Sequence, residues 1–249
     1  MKIFNRLSEA LELETRREYT WAKSVGVGRG VISALKETDS PPGWEPLSAI
    51  RKAERLSITW LLEEEGTPFE VLRYVDDASC AYDLACHLGE EKWATVIATD
   101  GKRLAFVLAQ PGESEVEGRA GKRTPFSYTM MEVFLGGAAE SLAVIRDIGH
   151  HVRLAPIPPD QMDAIYRGKV GTWRLLLAPD AWLKNSKPIS RDHPVFQSQS
   201  AEPRYLTKDE EHVLSCYLAM EPAQRETYKA IGDTLANTAS GKGMKRVAK

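Results

Sequence analysis

The chain has 249 residues, 43% of them hydrophobic, and its 33 Lys and Arg face 35 Asp and Glu, for a formal net charge of −2. That length suits two domains, each large enough to bury a core. The charge balance argues against DNA binding by bulk charge, and the absence of any run of about 18 apolar residues argues against a membrane span.

Lys2 is followed by an amphipathic segment bearing acidic residues, not a continuous apolar stretch, so no signal peptide is expected. The three cysteines, Cys80, Cys86 and Cys216, are odd in number and lack metal-ligand spacing, although His87 adjoins Cys86. Free thiols in a reducing cytosol are the expectation. No metal, cofactor or nucleotide fingerprint is found, so no cofactor is expected.

The first element is IFNRLSEALEL, with Ile3, Phe4, Leu7, Ala10 and Leu11 on one helical face. Thr20 to Leu35 then reads as a helix-turn-helix. A helix ends on Val25, and the chain turns at Gly26, where a positive φ costs glycine nothing. Ala22, four residues earlier, is small enough for two helices to approach closely. Val25, Val27, Ile32 and Leu35 should point inward. Arg29, Gly30, Ser33 and Lys36 should point outward, onto the face that enters a major groove. Leu47, Ile50, Ala53 and Leu56 mark a fourth helix. Ile58, Trp60, Leu61 and Leu62 mark a fifth, closed by Gly66 and Pro68.

In this order the segments resemble the N-terminal domain of lambdoid and Mu-like phage repressors and their Xre-type helix-turn-helix relatives. The features are the NRLSEAL helix, the AKSVGV turn, the recognition helix, the Trp-Glu-Pro-Leu lead-in and the closing SITWLLEEEGTPF. The resemblance covers residues 1–68. Two positions depart from the pattern: Gly28 stands where a Ser or Thr cap is usual, and Glu63, Glu64 and Glu65 precede Gly66 where a Gly-x-Gly is usual. The resemblance implies a sequence-specific DNA-binding transcriptional regulator.

On that reading Arg29 can grip guanine O6 and N7 with two hydrogen bonds, and Ser33 reaches a base edge or phosphate. Lys36 lies near the DNA backbone, and Lys23 is a phosphate candidate on the preceding helix. Gly28 and Gly30 let the helix N-terminus approach DNA closely with free amides. Arg16 and Arg17 add positive charge nearby, while Glu63 to Glu65 lie at the far end of the domain.

After Pro68 a strand or linker leads into a helix through Ala78, Tyr82, Ala85 and Leu88. WATVIAT is a strand, Asp100-Gly101 a hairpin turn and RLAFVLA the partner strand. PGESEVEGRAGKRTP reads as an exposed loop and TMMEVFLGGAAESLAVIRDIG as a helix bent at Gly136-Gly137. HVRLAPIP is a strand, PDQMDAIYRG a short helix opened by Pro159, and TWRLLLAP a further strand. Residues 184–204 read as an extended loop. Residues 206–238 form two helices, with Thr207 and Glu210 as a capping box. This pair resembles the C-terminal helices with which many Xre-type regulators self-associate; a hairpin packed on its own domain is the other reading. Residues 239–249 form a disordered basic tail.

The expected fold class is therefore α+β: an all-α, five-helix, lambda-repressor-like domain over 1–68, then a mixed α/β regulatory or oligomerisation domain over 69–238. The expected function is repression, by a homodimer or higher oligomer on a palindromic double-stranded DNA operator, in the cytoplasm at the nucleoid. An activating or antitoxin-like regulator is an alternative. Another alternative comes from relatives whose Ser-Lys peptidase cuts its own Ala-Gly bond. Ala120-Gly121 is such a pair, but no Ser-Met occurs, and Ser127 and Ser141 lack the required context. A non-enzymatic protein is expected, induced by an antirepressor protein or by a small molecule bound to the sheet domain.

Overall fold

Apolar periodicity folds residues 3–63 into six helices: α1 (Ile3–Ala10), α2 (Leu13–Arg16), α3 (Glu18–Ser24), α4 (Arg29–Thr38), α5 (Trp44–Glu54) and α6 (Ile58–Glu63). The computed structural model describes residues 2–38, 40–117 and 123–197. The Ala120-Gly121 bond, Cys216, residues 198–204 of the expected extended loop, the expected helical pair over 206–238 and the expected basic tail over 239–249 lie outside the described residues.

Five helices were expected, and α2 is the addition. Glu12 and Arg17 both take left-handed backbone, with φ of 52° and 57°, and cut one helical run into three. The single turn between them buries Leu13. Ser57 caps α6 by accepting the Trp60 amide at 3.2 Å. Glu64, at φ 65°, ends α6, so the helix closes before Gly66. Arg6 is buried and ties α1 to that end: its Nε donates to the Leu61 carbonyl at 2.8 Å, and its guanidinium also pairs with Glu64. A guanidinium on the last carbonyls satisfies groups the helix leaves unpaired.

The rest of the described chain forms a six-stranded mixed sheet in the order β1-β4-β3-β2-β5-β6. The strands are β1 (Leu72–Arg73), β2 (Ala94–Thr99), β3 (Leu104–Glu117), β4 (Arg123–Leu135), β5 (His150–Pro156) and β6 (Lys187–Pro188). Pairs β2–β3, β3–β4 and β5–β6 are antiparallel, while β1–β4 and β2–β5 are parallel. The first hairpin turns where expected. Gly101 has φ +86°, and the Asp100 carboxylate accepts the Lys102 and Arg103 amides at 2.9 and 2.8 Å.

Both faces of the sheet centre are covered. Ile97, Phe106 and Phe134 pack beneath α7 (Asp77–Glu90) and α8 (Ala139–Ile148). Val96, Val107 and Val133, one residue out of phase, pack against Met162 of α9 (Pro159–Tyr166) and against Leu175. Period-two alternation sends neighbours to opposite layers. Where both layers are dry, the strand reads as a continuous apolar run.

Four sequence expectations need correction. The exposed loop over Pro111–Pro125 is instead the outer part of β3 and β4, which remain paired from Ala105↔Leu135 to Glu117↔Arg123. Thr129–Leu135 is strand, not helix, and α8 starts only at Ala139. Gly136 takes φ +100°, and a Cβ there would lie 2.3 Å from the Tyr74 carbonyl oxygen. Trp173–Leu177 is a single π-helical turn, not a strand. The helix expected through Ala78, Tyr82, Ala85 and Leu88 is present as α7; its buried residues are Cys80, Ala81, Leu84 and Leu88, while Tyr82 is exposed. The region beginning at residue 184 is also not wholly loop: it contributes β6 and a 3-10 turn at Pro194–Phe196.

Helices and sheet fall within one compact unit. Phe69 packs in the helical core, and its amide donates to the Gly168 carbonyl at 2.9 Å. Arg55 reaches across, pairing with Glu132 of β4 at 2.6 Å and with Glu70 at 3.5 Å. Among the described residues no helix is long and apolar enough to cross a membrane.

Candidate nucleic-acid interface

The turn between α3 and α4 is closed by its own backbone. The Gly26 amide donates to the Lys23 carbonyl at 3.3 Å, and the Val27 amide to the Ala22 carbonyl at 2.7 Å. Gly26 has φ +73°. This pair of bonds about a left-handed glycine is a Schellman motif. It sets the direction in which α4 leaves.

The inner faces of both helices are anchored. Trp21, Ala22, Val25, Val27, Ile32 and Leu35 are all buried. The Trp21 indole donates to Glu54 Oε1 at 2.8 Å, and Arg16 pairs with the same oxygen at 2.5 Å. These bonds tie α3 to α2 and α5. The outer face is open. Arg29, Gly30 and Lys36 are exposed and Ser33 is half-buried. Gly28 and Gly30 have ordinary negative φ, and a Cβ at either would meet nothing within 4 Å. Neither backbone geometry nor packing inside the molecule requires glycine at these two positions.

Four of the six expected interface residues line one groove of about 1000 Å³: Lys23, Gly28, Arg29 and Gly30. Pro41, Pro42, Pro46 and Val116 line the same groove. Ser33 and Lys36 do not line it. The Lys36 ammonium pairs with Glu18 at 2.5 Å and stands 4.9 Å from the Phe4 ring centre, so it is drawn toward α1 and α3. The Arg29 guanidinium stands 5.6 Å from the ring centre of exposed Tyr19, a contact with no signal in the sequence pattern. The Val116 wall was also not foreseen, because it comes from the far end of β3. The proline cluster at 41, 42 and 46 could have been flagged as a rigid lip from composition alone.

Other candidate chemistry is engaged in holding the fold. The Ser141 hydroxyl donates to Asp77 Oδ1 at 2.6 Å, and Asp77 also accepts the Ala138, Glu140 and Ser141 amides. Burial works to raise the Asp77 carboxyl, but these donors outweigh it and hold the group below its ordinary range. Ser127 is exposed on β4. Burial pushes the Cys80 thiol up, which disfavours the reactive thiolate. His87 Nδ1 lies 2.8 Å from the Asp83 carbonyl, and His193 accepts the Val195 amide at 3.2 Å. Among the described residues no cluster of His, Cys, Asp and Glu could hold a metal ion.

Comparison with protein-family models, curated proteins and solved structures finds no match to this chain. A functional reading therefore stands on the geometry.

Proposed function

We propose that the chain is a transcriptional repressor of phage or prophage type, whose lambda-repressor-like helices read a palindromic operator. The observation that carries this reading is α4: one side is locked by Ile32, Leu35 and the Schellman turn, while the other presents Arg29 between two glycines in open space. A helix N-terminus that bears a guanidinium and no flanking side-chain bulk can approach base edges closely, and its free amides suit phosphate. Arg29 would contact guanine and Lys23 phosphate. Ser33, one turn further on, would reach a base edge or phosphate. Lys36 would contribute to the DNA backbone contact only by leaving Glu18.

A single short helix reads few base pairs. Operator recognition by a homodimer follows, because two half-sites multiply the selectivity. Bound at a promoter, the dimer would exclude polymerase. Self-cleavage is the weaker reading, since the Ser141 hydroxyl is committed to the Asp77 carboxylate, with no lysine among its hydrogen-bond partners in the described residues.

The test is a mobility shift of the full chain on DNA from the region upstream of its own coding sequence, with Arg29→Ala and Ser33→Ala alongside. A salt-sensitive complex that resists random competitor DNA, and that the substitutions weaken, supports the reading. Equal affinity for upstream and random DNA at every salt concentration overturns it.

A further inference from the structure

β3 and β4 stay paired well beyond Ala94↔Ala109, the last rung β3 shares with β2. This two-stranded extension leaves the sheet centre and ends in the helical core, where Val116 and Phe126 are each 8% exposed. One face makes the contact. The Phe126 and Tyr128 ring centres are 5.6 Å apart on it, and Tyr128 lies over Gly112, where a Cβ would come within 2.7 Å of the ring. Ser114 accepts the Lys52 ammonium from α5 at 3.1 Å.

The contact falls on Gly26. A Cβ at that position would lie 2.7 Å from Phe126 Cδ1 and 2.9 Å from Val116 Cγ2. Gly26 thus serves two purposes: it takes the left-handed backbone of the turn, and it lets the end of the ribbon sit against that turn. Val116 also lines the groove beside Arg29.

We propose that Phe126 and Val116 are positioning residues for DNA reading: the ribbon end is a seat for the α3–α4 turn and fixes the angle at which α4 is presented. This inference rests on the reading of α4 as the DNA-reading helix. Neither side chain needs to touch DNA. Base-edge hydrogen bonds require placement to within about half an ångström, whereas attraction to phosphate is far more tolerant. A turn that loses its seat therefore loses base preference before it loses charge-driven binding.

The test uses the full chain with Phe126→Ala and Phe126→Leu, and two readouts. Amide hydrogen exchange without DNA should accelerate about tenfold at residues 25–31 in Phe126→Ala, with α6 changed by less than about twofold. Affinity for the upstream duplex should fall about tenfold while affinity for random DNA stays within about twofold, and Phe126→Leu should restore both properties. Arg29→Ala, in the same series, should lower base preference without altering exchange. Unchanged exchange at the turn in Phe126→Ala overturns the proposal. So does acceleration spread evenly over α1 to α6, which would make Phe126 an ordinary core residue. A wild-type chain that does not prefer the upstream duplex overturns the reading of α4 itself, and the exchange data still decide whether the ribbon seats the turn.

Discussion

Glu54→Ala should destabilise the chain by about 3–5 kcal/mol, the cost of stranding one partner of a buried ion pair. Glu54 is 2% exposed and the Arg16 side chain 6%. One carboxylate oxygen, Oε1, receives both the Arg16 guanidinium and the Trp21 indole N–H. Truncation leaves both donors in a buried site without that acceptor. The unpaired indole alone costs about 1–3 kcal/mol. Arg16 keeps a carbonyl of Leu11 at 3.4 Å and stands 4.3 Å from the Trp173 ring centre, contacts that place the expected value at the lower end of the range. Glu54→Gln retains an acceptor and should cost about half as much. Urea unfolding followed by tryptophan fluorescence and far-UV circular dichroism gives both values from the midpoints and slopes. A loss below about 1 kcal/mol for Glu54→Ala would refute the argument, because the guanidinium would then have found water.

Gly26→Ala should cost about 3 kcal/mol, from left-handed backbone and from overlap with Phe126. In a Phe126→Ala background the same change should cost about 1–2 kcal/mol, from the left-handed backbone and the remaining Val116 contact, which a double-mutant cycle in urea would read. Asp77 is held below the ordinary carboxyl value of 3.8, so its stabilisation is present above that value and is lost as pH falls through the folded-state value. Asp77→Asn should therefore cost about 1 kcal/mol at neutral pH, a modest figure because the half-buried carboxylate is partly screened. The difference from wild type should narrow in urea melts as pH falls through that folded-state value. Arg29→Ala should weaken operator binding by about 1–3 kcal/mol and relax preference at one base pair per half-site, as shifts on single-base variants would show. Its effect on folding should stay within about 0.5 kcal/mol, since the side chain is exposed.

The α3–α4 unit was legible because its determinants are local: Ala22, Gly26 and Val27 make the turn with one another's backbone. The sheet centre was half legible. Ala94–Thr99 and Leu104–Ala109 read as strands on either side of Asp100-Gly101, but Met130–Leu135 did not. That run is apolar at every position except Glu132 because both faces of the sheet centre are covered, and periodicity cannot then separate strand from helix. The same ambiguity hid the turn at Trp173–Leu177. α2 was invisible because Glu12 and Arg17 adopt left-handed backbone without glycine or asparagine to announce it. Gly112, Pro111 and the glutamates of β3 have loop composition. They pair as strand because their buried face meets helices from a distant part of the sequence, a tertiary fact with no local trace. Around the candidate groove, the outward placement of Arg29 followed from helical phase. The bond between Lys36 and Glu18 joins positions 18 residues apart and did not.

The outer ribbon also bears on how copies of this chain can associate. Beyond the rungs shared with β2 and β1, both long edges of the β3–β4 pair lack a neighbouring strand among the described residues. Such edges ordinarily invite another chain to add a strand. Pro111 and Pro125 interrupt the two edges with residues that have no N–H to offer, and Glu113, Glu115 and Arg123 line them with exposed charge. On the far side the sheet ends in β6, which is only Lys187–Pro188. The open margins are thus poor templates for intermolecular strand pairing, so any association between copies would be directed toward packing of side-chain faces and away from a continuous sheet between them.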